Sequence, residues 1–151
     1  MRTLLLSVVV MVACKGKDAD KAGPAGPVKV DALNVQLDVP GKAKVNPGLD
    51  ANQYTVTGKA VGEIFVEVEK TPTTIEALQN GQSGIEISNF KSEKLSDGFA
   101  ATYDYTMGST KSSSVAVHRT INGKAYRCAA NSQDKGWLDA AMAACKTLRP
   151  M

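Results

Sequence analysis

The sequence predicts an α+β domain: a curved antiparallel sheet of about six to seven strands, with a short helix and a C-terminal helix packed on it. Three observations carry that prediction. The first half alternates apolar and polar residues with a period of two, two tight-turn signals punctuate the middle, and the last segment repeats its apolar residues at helical spacing.

Leu33, Val35, Leu37 and Val39 alternate with Asn34, Gln36 and Asp38, the pattern of a strand with one buried face, and Pro40-Gly41 ends it. Tyr54 to Thr57 repeat the alternation before Gly58. Ile64, Val66 and Val68 then mark one side of a third strand, with Glu63, Glu67 and Glu69 on the other, a solvated face. Thr71 to Gly81 reads as a short helix, opened by a threonine cap and Pro72 and stopped at Gly81. Ile75 and Leu78 are its only large apolar residues, so it should lie on the surface by a narrow stripe.

Two hairpins follow. A two-residue Asp97-Gly98 loop places Tyr103 opposite Ser92, Tyr105 opposite Phe90 and Lys91 opposite Asp104 as a cross-strand ion pair. Phe90, Phe99, Ala101, Tyr103 and Tyr105 then share one face. Asn122-Gly123 is the strongest two-residue turn signal, because both central positions take positive φ. It sets Val117 opposite Cys128 and Val115 opposite Ala130, with His118 beside Arg127 on the reverse face. Asp134 to Leu148 closes the chain as a helix: Leu138, Ala141, Cys145 and Leu148 form its stripe, Trp137 widens it, and Pro150 prevents continuation.

The resulting order, β-β-β-α-β-β-β-β-α, resembles the PsbP-type fold. The points of similarity are the "DVPGKA" stretch (Asp38 to Ala43), the helix after the third strand and the terminal helix. That resemblance implies a protein-docking or accessory role rather than catalysis.

Ahead of the domain, Met1-Arg2 supplies a positive end and Leu4 to Ala13 an apolar run. A run of about ten residues matches the apolar region of a secretory signal and falls short of the ~20 needed to span a bilayer. It ends in Met11-Val12-Ala13-Cys14, which resembles the lipobox of bacterial lipoproteins, with Met11 where that family usually has leucine. The resemblance implies cleavage after residue 13 and acylation of Cys14, hence a membrane-attached protein of the cell envelope, facing the periplasm or exterior. Lys15 in the second mature position favours the outer membrane by analogy with enterobacterial sorting. Residues 14–27 then read as a flexible tether, and residues 28–151 as the single domain.

With Cys14 committed to lipid, Cys128 and Cys145 remain. Both point into the same sheet–helix interface, and an exported chain lives where disulfides persist, so a structural bridge is the favoured reading and two buried thiols the alternative. They are too far apart in sequence for a C-x-x-C redox pair, and His118, the only histidine, is too little to complete a zinc site.

Catalytic chemistry finds little support. Any Ser–His–Asp or Cys–His arrangement has to use His118, which reads as a strand residue in contact with solvent, and no G-x-S-x-G elbow occurs. Gly108 to Ser114, "GSTKSSS", lacks the spacing of a phosphate-binding loop and reads as a polar loop. Neither a cofactor nor a metal is implied, and the expectation is a protein that is not an enzyme. The formal charge of +3, with lysines scattered and several beside acids, argues against a nucleic-acid partner. Two functions fit: a lipid-anchored domain that binds an envelope protein, or a small-molecule or lipid-binding module with a pocket between sheet and helix. An exposed Tyr103/Tyr105 face would favour the first and a deep cavity the second.

Overall fold

The alternating segments form strands that divide between two antiparallel sheets in the computed structural model, which describes residues 23–151. The leader, Cys14 and the tether up to residue 22 lie outside the described residues. The small sheet holds β1 (Ala25–Val30), β2 (Val35–Pro40) and β10 (Arg149–Pro150), in the order β1-β2-β10. The large sheet holds β3 (Ala43–Pro47), β4 (Gln53–Gly58), β5 (Gly62–Val68), β6 (Ile85–Leu95), β7 (Gly98–Met107), β8 (Thr110–Ile121) and β9 (Lys124–Ser132). Its order is β3-β4-β5-β9-β8-β7-β6. Helix α1 (Ile75–Asn80) lies between β5 and β6 in sequence, and α2 (Lys135–Lys146) follows β9.

The crossover from β5 to β6 decides the architecture. β6 starts at the far edge of the large sheet, and the meander β6-β7-β8-β9 returns to pair β9 with β5. The connection therefore crosses three strands, a width of about 19 Å at ~4.8 Å per strand, and α1 lies along that path.

One face of the large sheet is the main core. Val56, Ile64, Val66, Val115, Val117, Cys128 and Ala130 cluster with Leu138, Ala141, Ala144 and Cys145 of α2 and with Val30, Val35, Leu37 and Val39 of the small sheet. Helix α2 is thus clasped between two sheets, its first turn capped by Asp134, whose carboxylate accepts the Trp137 amide at 3.1 Å. After the helix, fully buried Leu148 seals the core and Arg149 forks onto Asp38 with two bonds of 2.9 Å. Those bonds hold the Asp38 carboxyl below its usual range.

The structure revises several expectations. Ten strands in two sheets replace six to seven in one, so the domain is sheet-dominated. Ala25 to Pro27, expected to end a tether over residues 14–27, instead pair with Pro40, Val39 and Asp38. Proline is tolerated there because β1 is an edge strand. Leu33 sits in a short 3-10 turn (Asp31–Leu33) rather than in β2. The cap of α1 is Thr74, whose hydroxyl accepts the Ala77 amide at 3.1 Å, and Pro72 precedes the helix. Most of "GSTKSSS" is strand: Thr110 to Ser114 pair with Met107 to Tyr103, and Ser113 and Ser114 also pair with β9.

The Asn122-Gly123 hairpin has the expected register, Val117 facing Cys128 and His118 facing Arg127, with both turn residues at positive φ. The preceding hairpin turns instead through Ser96-Asp97, pairing Leu95 with Gly98, and slips at a bulge between Ser88 and Lys91. Lys91 therefore faces Thr102, and no Lys91–Asp104 pair forms. Asp104 accepts hydrogen bonds from Asn89 Nδ2 at 2.7 Å and from Ser113 Oγ at 2.5 Å. These, the Asn89 bond first, lower its pKa. Moving the turn shifts the register by two residues and keeps facial parity, so Phe90, Phe99, Ala101, Tyr103 and Tyr105 do share one face, and the one-residue bulge brings Ile87 onto it as well.

Candidate functional site

That shared face is the outer one, opposite α2, and the α1 crossover roofs part of it. Phe99, Ala101, Tyr103, Ala116 and Ala129 form a small buried cluster against which Ile75, Leu78, Ile87, Phe90 and Tyr105 pack. The three alanines lie in one row across β7, β8 and β9, which keeps the sheet surface low beside the aromatic rings. A cleft of about 930 Å³ opens between α1 and this surface, lined by Leu78, Ile87, Tyr103, Tyr105 and Met107 on its apolar side. Glu67, Glu69, His118, Arg127 and Asn131 supply the polar side.

His118 is the central polar group. It is 4% exposed, where a solvent-facing residue was expected. The burial has two causes: its ring stacks on Phe99, centroids 4.7 Å apart, and α1's approach covers the row of β8 on which it stands. Its Nδ1 lies 3.0 Å from Glu69 Oε2, and Thr73 Oγ1 donates to Glu69 Oε1 at 2.6 Å. A carboxylate only accepts, so the imidazole donates through Nδ1 and leaves a lone pair on Nε2 in its neutral form. That Nε2 is buried without a hydrogen-bond partner in the protein. Burial pushes the Glu69 carboxyl up, but the hydrogen bonds from His118 and Thr73 outweigh it and the group titrates below its ordinary value.

Beside this pair, Arg127 Nη1 donates to Glu67 Oε1 at 2.8 Å and Gln53 Nε2 donates to Glu67 Oε2 at 3.0 Å. Of the glutamate row expected to be solvated, Glu63 is exposed, but Glu67 and Glu69 are drawn into this site. Glu67 and Glu69 have side-chain exposures of 23% and 9%. The arrangement combines an apolar wall, phenolic hydroxyls and a sealed imidazole–carboxylate pair, which is the equipment of a binding cleft. Among the described residues, no group of three or more His, Cys, Asp and Glu side chains could hold a metal ion.

Of the residues singled out by sequence, Tyr103, Tyr105, His118, Glu67 and Glu69 are brought together here. Tyr103, only 8% exposed, is not an open flat patch. Glu63 lies at the other end of β5, away from the cleft lining. Cys128 and Cys145 sit on the opposite side of the sheet, fully buried, at disulfide distance with Cα atoms 5.4 Å apart. Cys14 lies outside the described residues. Sequence reasoning missed the His118–Glu69 contact and the roofing role of Thr73. The available signal was the hairpin register, which puts His118 beside Arg127, but the pairing of β9 with β5 has no local signature.

No protein-family profile matches the chain, and no curated protein is similar to it in sequence. Its fold, however, is similar to the solution structure of cyanobacterial PsbP (CyanoP) from Synechocystis sp. PCC 6803. The TM-score is 0.57 at 10% sequence identity, over 91% of this chain and 99% of that one. The fold is thus PsbP-like, as the element order implied, and at that identity the likeness concerns the fold alone.

Proposed function

We propose that the chain is an exported bacterial lipoprotein, held on the cell envelope by acylated Cys14, whose domain is a non-catalytic accessory module binding an envelope partner through the α1 cleft. The observation that carries this reading is the cleft itself: a preformed apolar wall with a few converging polar groups. The PsbP-like fold supports an accessory role, and the lipobox-like leader supports the anchor. Cys128 and Cys145 at disulfide distance support an oxidising compartment such as the periplasm. No helix among the described residues is long and apolar enough to cross a membrane, so attachment in this reading falls to the lipid. Two acyl chains suffice for stable attachment where one does not.

A second reading is favoured by one observation, the roofing of the Tyr103/Tyr105 face by α1. A cleft of about 930 Å³ exceeds the ~300 Å³ that a small-molecule site needs, so a small apolar or lipid ligand also fits. A photo-crosslinking residue in place of Gln82, on the cleft lining, separates the two. A protein adduct formed in intact envelopes, and lost on Tyr105→Ala, supports the partner. A small molecule released by solvent extraction of the purified protein supports the ligand. Intact-mass analysis of envelope-derived protein tests the anchor: an unmodified N-terminus retaining residues 1–13 overturns it.

A further inference from the structure

We infer that the groove where the chain enters the domain is a second surface, built to lie on anionic lipid headgroups. The groove, about 800 Å³, is lined by Pro24, by Gly26, Pro27 and Val28 of β1, by the ends of β3, β4 and β5, and by Trp137. Three lysines rim it: Lys42 in the β2–β3 turn, Lys44 on β3 and Lys59 in the β4–β5 turn. All three are exposed, no carboxylate lines the groove, and among the described residues none of the three forms a salt bridge. Trp137 is 44% exposed, one of few large apolar side chains left in water. Its ring packs against Gly62, where φ is +63° and a Cβ would approach the ring to 2.8 Å. The glycine thus makes room for one side of the indole against β5, while the rest of the ring stays exposed on the rim of the basic groove.

An exposed indole beside unpaired lysines suits a membrane interface, where tryptophan settles at headgroup level and lysines attract anionic lipid. Position agrees with chemistry. Cys14 precedes the first described residue by about nine positions, a reach of at most ~30 Å, so an anchor there keeps this rim close to the bilayer. The α1 cleft lies at the other end of β5, near Glu67 and Glu69, about 20 Å away at ~3.3 Å per residue and on the opposite face. A domain seated on its lysine rim would present the cleft away from the lipid. The orientation of the cleft rests on the anchored reading above; the headgroup contact does not.

The test uses the full chain with Cys14→Ser, which removes the acylation site, so its outcome is independent of the anchor. Trp137 is the only tryptophan, and its fluorescence reports this rim alone. With vesicles of phosphatidylcholine containing 30% phosphatidylglycerol, binding is expected with a blue shift of the Trp137 emission, absent with pure phosphatidylcholine. Each lysine beside an anionic surface strengthens binding about five-fold, so Lys42→Gln/Lys44→Gln/Lys59→Gln should weaken it on the order of 100-fold. The lysine variant also controls for vesicle binding by the apolar leader, which it leaves intact. Equal binding by both proteins, no preference for anionic vesicles, or binding with unshifted emission would each overturn the proposal.

Discussion

The two faces of the large sheet are covered in opposite ways. On the inner face, α2 contributes four buried residues over twelve, is clasped by a second sheet and carries one of two cysteines at disulfide distance. On the outer face, α1 has six residues, none buried, and rests on Ile75, Leu78 and the Thr73–Glu69 hydrogen bond. The inner face is mostly aliphatic, its buried Tyr126 hydroxyl satisfied by the Leu33 carbonyl; the outer face buries a histidine and a glutamate. Stability is concentrated on one side, which leaves the other free to hold a polar cleft.

The comparison is most exposed to Leu148→Ala. Leu148 is fully buried between α2 and the small sheet, so truncation should cost about 2–5 kcal/mol, read by urea unfolding. A loss under 1 kcal/mol would remove the claim that this face holds the fold. Cys145→Ala should cost about 3 kcal/mol, because a bridge over 17 residues restricts the unfolded chain, and reductant should lower the wild type by a similar amount.

On the outer face, His118→Leu leaves the Glu69 carboxylate buried with only Thr73, for an expected cost of about 1–3 kcal/mol at pH 7. The folded pKa of Glu69 lies below its ordinary 4.5. Its stabilising contribution is therefore complete above pH 4.5 and is lost as pH falls through the folded value. The gap between wild type and His118→Leu should narrow on that acid limb; a constant gap from pH 7 to 3 would show that packing against Phe99, not the hydrogen bond to Glu69, is the histidine's role. Leu78→Ala should cost only about 1 kcal/mol, since the side chain is half-buried, while accelerating hydrogen exchange across α1. Global unfolding coupled to that change would mean the roof and the core are one unit. Smallest of all, Lys135→Ala breaks an exposed pair with Asp139, 88% and 69% exposed, and should move stability by less than about 0.5 kcal/mol.

Much of the inner face was legible in advance. Alternation named Val35, Leu37, Val39, Ile64 and Val66 as inward-facing, and Asn122-Gly123 set the β8–β9 register to the residue. Together with the helical stripe, that register put both cysteines at one interface. The misses have separate causes. β1 was hidden by Gly26 and Pro27, which read as linker until an edge position accommodates them. β3, "AKVNP", is too polar to declare itself. The Ser96-Asp97 turn and the bulge at Asn89 depart from the simplest loop, and both are held by contacts from β7 and β8: Asp97 takes Arg119 and the Thr120 amide, and Asn89 donates to Asp104.

Local patterns therefore determined the strongly alternating strands, the two helices and the alignment of the β8–β9 hairpin, because period and turn chemistry act over a few residues. Tertiary structure alone decided that β5 pairs with β9, that α1 must cross the outer face, that His118 meets Glu69 across 49 positions and that three dispersed lysines share a rim. Those contacts join distant segments, and their free energy depends on how the whole sheet closes rather than on any stretch of chain.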